Sequence, residues 1–457
     1  MTLENLDALR VGPAQKSLPE GSAELTVREL LDRGLHLSDL TTPVLALTGP
    51  AMEANIALLA QYCARHGAAL APHGKTTMAP DLWRQQIEAG AWGVTVANPA
   101  QLAVARAAGI ARVQLANCLV DPHGIALAQA MTADGVEVLS WVDDLAAVSR
   151  LAQHLAADGP ALDVLVELGA AGGRTGARGI DAAREVAAAV HASPRLRLRG
   201  VAGYEGALAH DRSPEGLAAV GAYLEDMRAL LVRLAAEGLL DAEDVVLTAG
   251  GSAYFDLVVD RFAGVGEEVA AGGTARAVDG SASGDAATRG DGEAGGDGAT
   301  GGGSLRTTVM LRSGAYIVHD DGFYRGITPL GSSTEGGGLI PAMHAWVRVL
   351  SRPEPTLALL DGGKRDLSFD EGLPEPQRAM PGFGAASRSL EGARATAMND
   401  QHTFLEIPAD DPLAVGDVVR LGLSHPCTAL DKWRLIPVID DAEAADPAVT
   451  ALIRTYF

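Results

Sequence analysis

Two residues near the C-terminus have the types and spacing of a metal site. Ser424-His425-Pro426-Cys427-Thr428 places an imidazole and a thiol two positions apart, so in an extended strand both side chains would point to one face. Imidazole and thiolate together suit Zn²⁺. A closed structural site needs four ligands, so a site with only His425 and Cys427 would leave positions for water and substrate. The alternative is a histidine and a cysteine packed in the core without metal.

A lysine stands where an apolar run ends, in the sequence Ala68-Ala69-Leu70-Ala71-Pro72-His73-Gly74-Lys75-Thr76. Lysine side chains are rarely buried without a reason. A desolvated lysine has a lowered pKa and can form an imine with the aldehyde of a cofactor. On spacing alone, Lys75 is either such a cofactor lysine or an ordinary lysine in a solvated loop.

A third segment has the composition of a phosphate-binding loop. Gly250-Gly251-Ser252 follows another apolar run, Asp244–Ala249. Consecutive glycines let backbone N–H groups approach a phosphate, and the serine hydroxyl adds a donor. An ordinary turn is the alternative interpretation.

These segments belong to a series of eight short apolar runs that alternate with helical stretches rich in Ala and Leu. The runs are 69–72, 93–96, 112–115, 136–139, 162–168, 198–203, 244–249 and 308–318. Strand–helix alternation predicts a parallel sheet. Eight repeats favour an α/β fold of the closed (β/α)₈ TIM-like type, in which active sites lie at the C-terminal strand ends. An open doubly wound sheet is the alternative.

The barrel is predicted to occupy residues 41–325. Within it, residues 272–304 contain 12 glycines in 33 positions and are predicted to be a disordered insertion, because such a segment buries too little apolar surface. Residues 326–457 contain short strand-like runs separated by Gly, Pro and Asp, which predict a mostly β domain carrying the metal pair. The first 40 residues are a candidate to pack on this domain.

Composition excludes several classes of function. The formal net charge is −22, which argues against nucleic-acid binding and against an anionic membrane surface. No apolar run reaches the roughly 20 residues of a membrane span, and the N-terminus lacks the apolar region of a secretory signal. Three cysteines, an odd and sparse set, fit a reducing cytoplasm better than a disulfide framework.

Several motifs resemble one enzyme family. Pro72-His73-Gly74-Lys75-Thr76 resembles the cofactor-lysine motif of the D-serine dehydratase / D-threonine aldolase family, which comprises fold-type III pyridoxal-phosphate (PLP) enzymes related to alanine racemase. Many members have Arg before the Pro and His two residues after the Lys, where this chain has Ala71 and Thr77. His425 to Trp433 resembles the zinc segment of D-serine dehydratases. The resemblance implies an alanine racemase-like barrel, PLP on Lys75, Zn²⁺ on His425 and Cys427, and a homodimer.

The resemblance also implies roles for further residues. Leu311–Tyr316 is similar to the family's phosphate-side motif, and the segment ending in Arg174 is similar to one that places an arginine near the PLP phenolic oxygen. Tyr204 or Arg312 is expected to face the pyridine nitrogen. Asp361 and His402 lie in segments that resemble the family's acidic loop and final strands, where a structural turn is the alternative. The expected cofactor-binding residues are Lys75, Arg174, Tyr204, Gly250, Gly251, Ser252, Arg312, Gly314, Ala315 and Tyr316.

The implied activity is that of a PLP- and zinc-dependent D-amino acid ammonia-lyase. Such an enzyme eliminates the β-hydroxyl of D-serine, or of a related 3-hydroxy D-amino acid, to give a 2-oxo acid and ammonia. Related aldolases tend to carry Asp where Cys427 stands, which favours dehydration. The alternatives are a metal-dependent D-threonine aldolase, an amino-acid racemase, a PLP carrier protein without turnover, and a sugar-phosphate barrel enzyme in which Lys75 is incidental.

Overall fold

The computed structural model describes residues 3–279, 305–332, 334 and 337–457. The chain begins with the short helix α1 (Val27–Leu31) and the strand β1 (Val44–Thr48). Strand β1 pairs with strands of the C-terminal part of the chain and not with the barrel, although the sequence places the start of the barrel at residue 41. The N-terminal segment packs there too, since Val11, Val27 and Leu30 share an apolar cluster with Trp346.

The barrel contains the eight predicted strands. These are β2 (Ala69–Leu70), β3 (Val94–Val96), β4 (Arg112–Cys118), β5 (Glu137–Val142), β6 (Leu162–Gly169), β8 (Leu196–Gly203), β9 (Asp244–Thr248) and β10 (Arg306–Leu311). A ninth strand that the sequence did not predict, the two-residue β7 (Ala177–Arg178), pairs only with β6. All pairings are parallel, in the order β2-β10-β9-β8-β6-β5-β4-β3. The N–H groups of Trp92 and Thr95 donate to the carbonyls of Leu70 and Pro72 at 2.7 and 2.9 Å, which joins the ends of the sheet. The predicted barrel fold is confirmed.

One predicted strand, Thr308–Val318, is too long. Strand β10 ends at Leu311, and Ala315–Ile317 form a turn of 3₁₀ helix. A continuous apolar run does not reveal where an extended backbone gives way to a buried turn.

The connecting helices begin and end where the sequence supplies capping residues. The side chains of Asn98, Asp121 and Ser213 accept N–H hydrogen bonds at the start of helices that have Pro in the first turn, and Gly238 ends the longest helix in the left-handed conformation. The helices are α2 (Gly49–His66), α3 (Pro80–Glu88), α4 (Pro99–Ala107), α5 (Pro122–Ala133), α6 (Leu145–His154), α7 (Ile180–His191), α8 (Pro214–Glu237), α9 (Phe255–Arg261), α10 (Val265–Asp279) and α11 (Phe323–Ile327).

Helix α10 extends into the segment for which the sequence predicts disorder. Its last eight residues, 272–279, are the first eight of the glycine-rich stretch. The rest of the predicted insertion, residues 280–304, lies outside the described residues.

The C-terminal part of the chain is mostly β structure, as predicted. Its elements are β11 (Met343–Glu354), β12 (Leu357–Leu360), β13 (Glu375–Met380), β14 (Arg388–Ser389), β15 (Arg394–Met398), β16 (Thr403–Glu406), β17 (Val418–Gly422), the short helix α12 (Pro426–Leu430), β18 (Leu435–Ile439) and β19 (Val449–Arg454). The main sheet has the order β14-β13-β17-β11-β1-β18-β19, and β12, β15 and β16 extend it from β11. Among the described residues, no helix is long and apolar enough to cross a membrane.

Candidate active site

A cavity of about 400 Å³ lies at the C-terminal mouth of the barrel. Lys75 lines it from the end of the first barrel strand, and His425 and Cys427 line it from the β domain. The lysine and the metal pair, 350 residues apart in the sequence, therefore face the same space. A volume of this size is within the range of small-molecule sites.

Lys75 lies in a 3₁₀ turn, Gly74–Thr76, that begins four residues after the end of β2 at Leu70. The turn is packed against the barrel, because the indole N–H of Trp83 donates to the Gly74 carbonyl at 3.3 Å. The Lys75 side chain is half-buried. Within the described part of the chain its amine has no hydrogen bond and no ion pair. The amine is thus available to a ligand in the cavity.

Gly314 allows the loop after β10 to approach the lysine turn closely. A Cβ at Gly314 would lie 2.6 Å from the His73 carbonyl oxygen and 2.8 Å from Thr76 Oγ1. We expect Gly314→Ala to destabilise the protein by about 1–3 kcal/mol, because backbone atoms cannot move aside cheaply. Urea unfolding measures this loss. Gly382→Ala is the matched control, since a Cβ there meets nothing within 4 Å; equal stability of the two variants would contradict the prediction.

Two arginines contribute positive charge to the cavity wall. The guanidinium carbon of Arg174 lies 4.9 Å from the centre of the Tyr204 ring, and that of Arg312 lies 4.9 Å from the Trp141 ring. Arg312 is buried, and its two terminal nitrogens donate to Thr248 Oγ1 at 2.6 Å and to the Gly203 carbonyl at 2.5 Å. Its Nε has no partner among the described residues.

These groups fit an anionic cofactor such as PLP. Lys75, Arg174 and Arg312 bring three cations to one cavity of a chain whose net charge is −22. Burial, with the positive charges of Lys75 and Arg312 added, holds the pKa of His73 well below its usual range, so His73 stays neutral. The unpartnered Nε of Arg312 is a buried donor that a ligand acceptor would satisfy.

Four of the five residues that the sequence assigns to a phosphate line the cavity. Gly251, Ser252, Gly314 and Ala315 line the cavity, whereas Gly250 does not. The N–H groups of Gly250 and Gly251 donate to the carboxylate of Glu205 at 3.0 and 2.6 Å.

The Glu205 carboxylate therefore accepts hydrogen bonds from two backbone N–H groups that the sequence assigns to phosphate binding. It is fully buried. Its acidic side chain directly after Tyr204, at the end of a barrel strand, was the signal for it in the sequence.

Tyr316 is not part of this cavity. Its side chain is buried, accepts a hydrogen bond from Gln86 Nε2 at 2.9 Å, and lines a separate cavity of about 180 Å³ between α2 and α3. The reason is the turn at Ala315–Ile317, in which neighbouring side chains point in different directions. Ala315 faces the cofactor cavity and Tyr316 faces away.

The metal pair has a different backbone from the one expected. His425 is not in a strand: it precedes helix α12 and has a left-handed backbone with φ 49°. This conformation is held by Asp320, whose Oδ2 accepts the His425 N–H at 3.0 Å. Cys427 lies in the first turn of α12, and its sulfur is 3.5 Å from Thr76 Oγ1, in the lysine turn.

The two side chains are coupled to each other. Burial alone would raise the pKa of Cys427, but its hydrogen bonds with His425 and Thr76 lower it. The hydrogen bond with Cys427, with Asp370 nearby, raises the pKa of His425 to about 9. Without a metal the two therefore form an imidazolium–thiolate pair, and Zn²⁺, which prefers a thiolate beside a neutral imidazole, would have to displace the imidazolium proton. Asp370 accepts from His425 Nδ1 at 2.6 Å, which leaves Nε2 for the ion.

Asp370 is expected to control metal affinity. Carboxylates that hold the second nitrogen of a ligating histidine typically change affinity by about 10- to 100-fold. We therefore expect Asp370→Asn to weaken Zn²⁺ binding by about that factor, measured by competition with a chromophoric chelator. Asp431→Asn, which removes a carboxylate paired with Lys432 in the same segment, should leave affinity unchanged. Equal affinity in Asp370→Asn and the unmodified protein would show that Asp370 has no such role.

A second group of potential ligands lies nearby. Among the described residues, Cys118, Asp143 and Glu167 form the one such group of three, with ligand atoms all within 4.8 Å of one another. The Cys118 thiol donates to Asp143 Oδ1 at 3.0 Å, and burial, with this hydrogen bond, raises the pKa of Cys118. A protonated thiol is a poor metal ligand, so Cys427 is better suited than Cys118.

The remaining predicted residues serve the β domain. Asp361 accepts hydrogen bonds from Thr42 Oγ1 at 2.6 Å and from the Arg348 N–H at 2.8 Å. His402 is exposed. Neither lines the cavity, in agreement with the interpretation of both as parts of structural turns.

Comparisons with known proteins agree with this architecture. Residues 48–263 match the family model described as alanine racemase, N-terminal domain, and residues 342–439 match the putative serine dehydratase domain. A 3-hydroxy-D-aspartate aldolase of Paracoccus denitrificans is 26% identical over 88% of this chain and 89% of its own length. A D-threo-3-hydroxyaspartate dehydratase of Delftia sp. is 30% identical over 40% of this chain and 48% of its own.

The fold is likewise that of a solved relative. The crystal structure of D-threonine aldolase from Filomicrobium marinum superimposes with a TM-score of 0.71 and 23% identity, covering 92% of this chain and 97% of that one. An alanine racemase-type barrel with a lysine at its first strand end, joined to a β domain, is the fold that this chain shares with these proteins. With relatives named aldolase and dehydratase over both domains, the chain is similar to the D-serine dehydratase / D-threonine aldolase family of lyases. The resemblance drawn from the sequence motifs is confirmed.

Proposed function

We propose that this chain is a PLP-dependent D-amino acid lyase that eliminates the β-hydroxyl of a small 3-hydroxy D-amino acid with the help of Zn²⁺. D-Serine would give pyruvate and ammonia. The observation that carries the proposal is the shared cavity, in which Lys75 faces His425 and Cys427. Proton abstraction at Cα and departure of a group from Cβ need a base and an electrophile on one substrate, and Lys75 together with a metal ion on His425 and Cys427 would supply both.

Bound PLP would supply an electron sink for the charge that develops at Cα. Lys75 would anchor the cofactor aldehyde and, once freed by the substrate amine, its amine would take the α-proton. Arg174 would hold the phenolic oxygen, and Ser252, Gly251, Gly314 and Ala315 the phosphate. His425 and Cys427 would hold Zn²⁺ beside the β-hydroxyl, where a divalent cation stabilises charge on the departing oxygen.

The partner of the pyridine nitrogen is best assigned to Arg312. Its Nε is buried without a partner, whereas Tyr204 is 37% exposed and stacks on Arg174. A cationic partner disfavours protonation of the ring nitrogen. Charge at Cα would then be held mainly by the surrounding cations and less by the ring.

Aldol cleavage is the second candidate, because two of the relatives described above are named aldolases. The two reactions give different products from D-threonine. Dehydration gives 2-oxobutanoate and ammonia, and aldol cleavage gives glycine and acetaldehyde. Cys427 in place of the aspartate common in aldolases favours dehydration. A racemase would have no use for the metal pair and would keep its activity in the presence of a chelator.

The decisive experiment is a panel of 3-hydroxy D-amino acids assayed with PLP, with and without chelator. Ammonia and a 2-oxo acid that disappear with chelator and return with Zn²⁺ would support the proposal. Glycine as the main product from D-threonine would show an aldolase. Chelator-insensitive interconversion of enantiomers would show a racemase.

A further inference from the structure

We infer that Arg178 is the positioning residue of Arg174 and that, through Arg174, it sets the affinity for PLP and the pH at which bound PLP titrates. This inference rests on the proposed function, in which Arg174 holds the phenolic oxygen of the cofactor. It is carried by the Arg178 guanidinium, which binds the carbonyls of four consecutive residues, 173–176, in the loop that presents Arg174.

This loop, residues 170–176, has little of its own to keep it in shape. It leaves β6 at Gly169 and returns to the sheet at Ala177, where β7 begins and pairs with β6. Its first four residues are Ala170-Ala171-Gly172-Gly173, so none of them has a side chain larger than a methyl group. Because glycine has access to many backbone conformations, the position of Arg174 has to be fixed by contacts from outside these four residues.

The end of the loop next to β7 is anchored to the barrel. Thr175 Oγ1 donates to Glu167 Oε1 at 2.8 Å. The Gly176 N–H donates to Asp143 Oδ2 at 3.0 Å. Glu167 is buried near the end of β6, so this part of the loop is fixed to the sheet. Arg174 lies just before these residues and takes no part in their bonds to the barrel.

The part of the loop that bears Arg174 is held by Arg178. Nη2 of Arg178 donates to the carbonyls of Gly173 and Arg174 at 3.0 and 2.9 Å, and no other described residue donates to these two carbonyls. Nη1 donates to the carbonyls of Thr175 and Gly176, both at 2.8 Å. The guanidinium therefore links the backbone of Arg174 to the anchored end of the loop.

The Arg178 guanidinium is committed to this task. Within the described part of the chain it has no carboxylate partner. Although Arg178 is an exposed residue, its guanidinium packs against the strand end, because a Cβ on Gly169 would overlap with its Nη1. Arg178 is thus built into the turn between β6 and β7 and does not simply lie over its surface.

The side chain of Arg174 depends on this support. It lines the cofactor cavity and stacks on the Tyr204 ring at 4.9 Å. Its guanidinium has no hydrogen bond and no ion pair with any described residue, so its backbone and this one stacking contact set its position. Charge-assisted hydrogen bonds are strong only when they are well aligned. A loop without Arg178 would therefore weaken the bond from Arg174 to the cofactor.

Loss of Arg178 is expected to act as a partial loss of Arg174. Arg174→Gln should weaken PLP binding by about tenfold or more, since it removes a hydrogen bond from a charged donor. A nearby cation favours the ionised form of the phenolic oxygen, so the same change should raise the pH at which the absorbance of bound PLP titrates by about one unit. Arg178→Gln should shift both quantities in the same direction by less, about threefold and about half a unit.

A double-mutant cycle tests whether Arg178 acts through Arg174. Adding Arg178→Gln to Arg174→Gln should change neither the Kd for PLP nor the titration any further. Arg178→Lys keeps the charge but has no planar fork to bind four carbonyls, so it should resemble Arg178→Gln. Arg106→Gln is the matched control and should change neither quantity, because Arg106 is an exposed arginine that pairs with Asp134 at 2.7 Å and does not line the cavity.

A measurement without cofactor tests the hold on the loop by itself. Trypsin cleaves after arginine, and in Arg178→Gln the segment 170–178 keeps Arg174 as its one arginine. The apo form of this variant should be cut after Arg174 at a rate about fivefold higher, or more, than apo Arg106→Gln, because a loop without its cross-link opens more often. Equal rates of cleavage would show that Arg178 does not hold the loop.

None of these measurements needs turnover, so a positive result would support the inference even if no lyase activity were found. If Arg174→Gln left the Kd and the titration unchanged, the role of Arg174 in the proposed function would be wrong, and the inference with it. If Arg174→Gln changed both and Arg178→Gln changed neither, the proposed function would stand and the inference would be overturned. Fully additive effects of the two substitutions, or an Arg178→Lys variant equal to the unmodified protein, would also overturn it.

Discussion

Replacement of Lys75 by alanine is expected to remove both the covalent attachment of PLP and the lyase activity, with kcat/KM falling by about 10³-fold or more. The amine has two proposed tasks, anchoring the cofactor and moving the α-proton, and within the described residues the cavity offers no other lysine. Lys75→Arg keeps the positive charge but cannot form the bond to the aldehyde. The Lys75→Arg variant should therefore also lose the covalent attachment of PLP and the lyase activity. This result would show that the amine is needed as a nucleophile and not only as a positive charge.

Borohydride reduction followed by peptide mapping locates the bond directly. The sequence holds only four lysines, at positions 16, 75, 364 and 432, so the assignment is unambiguous. Lys364→Ala is the control: its amine lies over the Phe369 ring at 5.2 Å and outside the cavity, and the variant should be labelled and active as before. A label at any position other than Lys75 would remove the basis of the proposed mechanism.

The sequence predicted the barrel well because its signals are local. Each barrel strand is a short apolar run, and each is followed by a capping residue or a glycine that marks the next turn. Lys75, Arg174 and Ser252 all follow such strands, so the barrel rule that functional residues gather at the C-terminal strand ends was enough to bring them together.

The errors arose where tertiary contacts decide the local structure. His425 was expected in a strand, but the buried carboxylate of Asp320, about a hundred residues earlier, holds its backbone in the left-handed conformation. Gly250 was expected to bind phosphate, but its N–H donates a hydrogen bond to the carboxylate of Glu205, which follows the neighbouring strand. No periodicity in the sequence reports such contacts.

The second large effect is expected at the metal pair, where the two cysteines near the cavity give a matched comparison. Cys427→Ala should lose bound Zn²⁺, and lyase activity should fall by about 10²-fold or more, because a Lewis acid on the leaving oxygen contributes several kcal/mol. His425→Ala should behave alike. Cys118→Ala should keep its metal, since the Cys118 thiol is protonated and donates to Asp143 at 3.0 Å.

Metal content per chain by atomic emission and activity before and after added Zn²⁺ check this prediction together. The contrast depends on the protonation state of each thiol. The hydrogen bonds of Cys427 with His425 and Thr76 outweigh the effect of burial and lower its pKa, whereas burial and Asp143 raise the pKa of Cys118. Only a thiolate binds the ion well. If Cys118→Ala lost its metal while Cys427→Ala kept it, the catalytic ion would belong to the group of Cys118, Asp143 and Glu167, and dehydration would need a different electrophile.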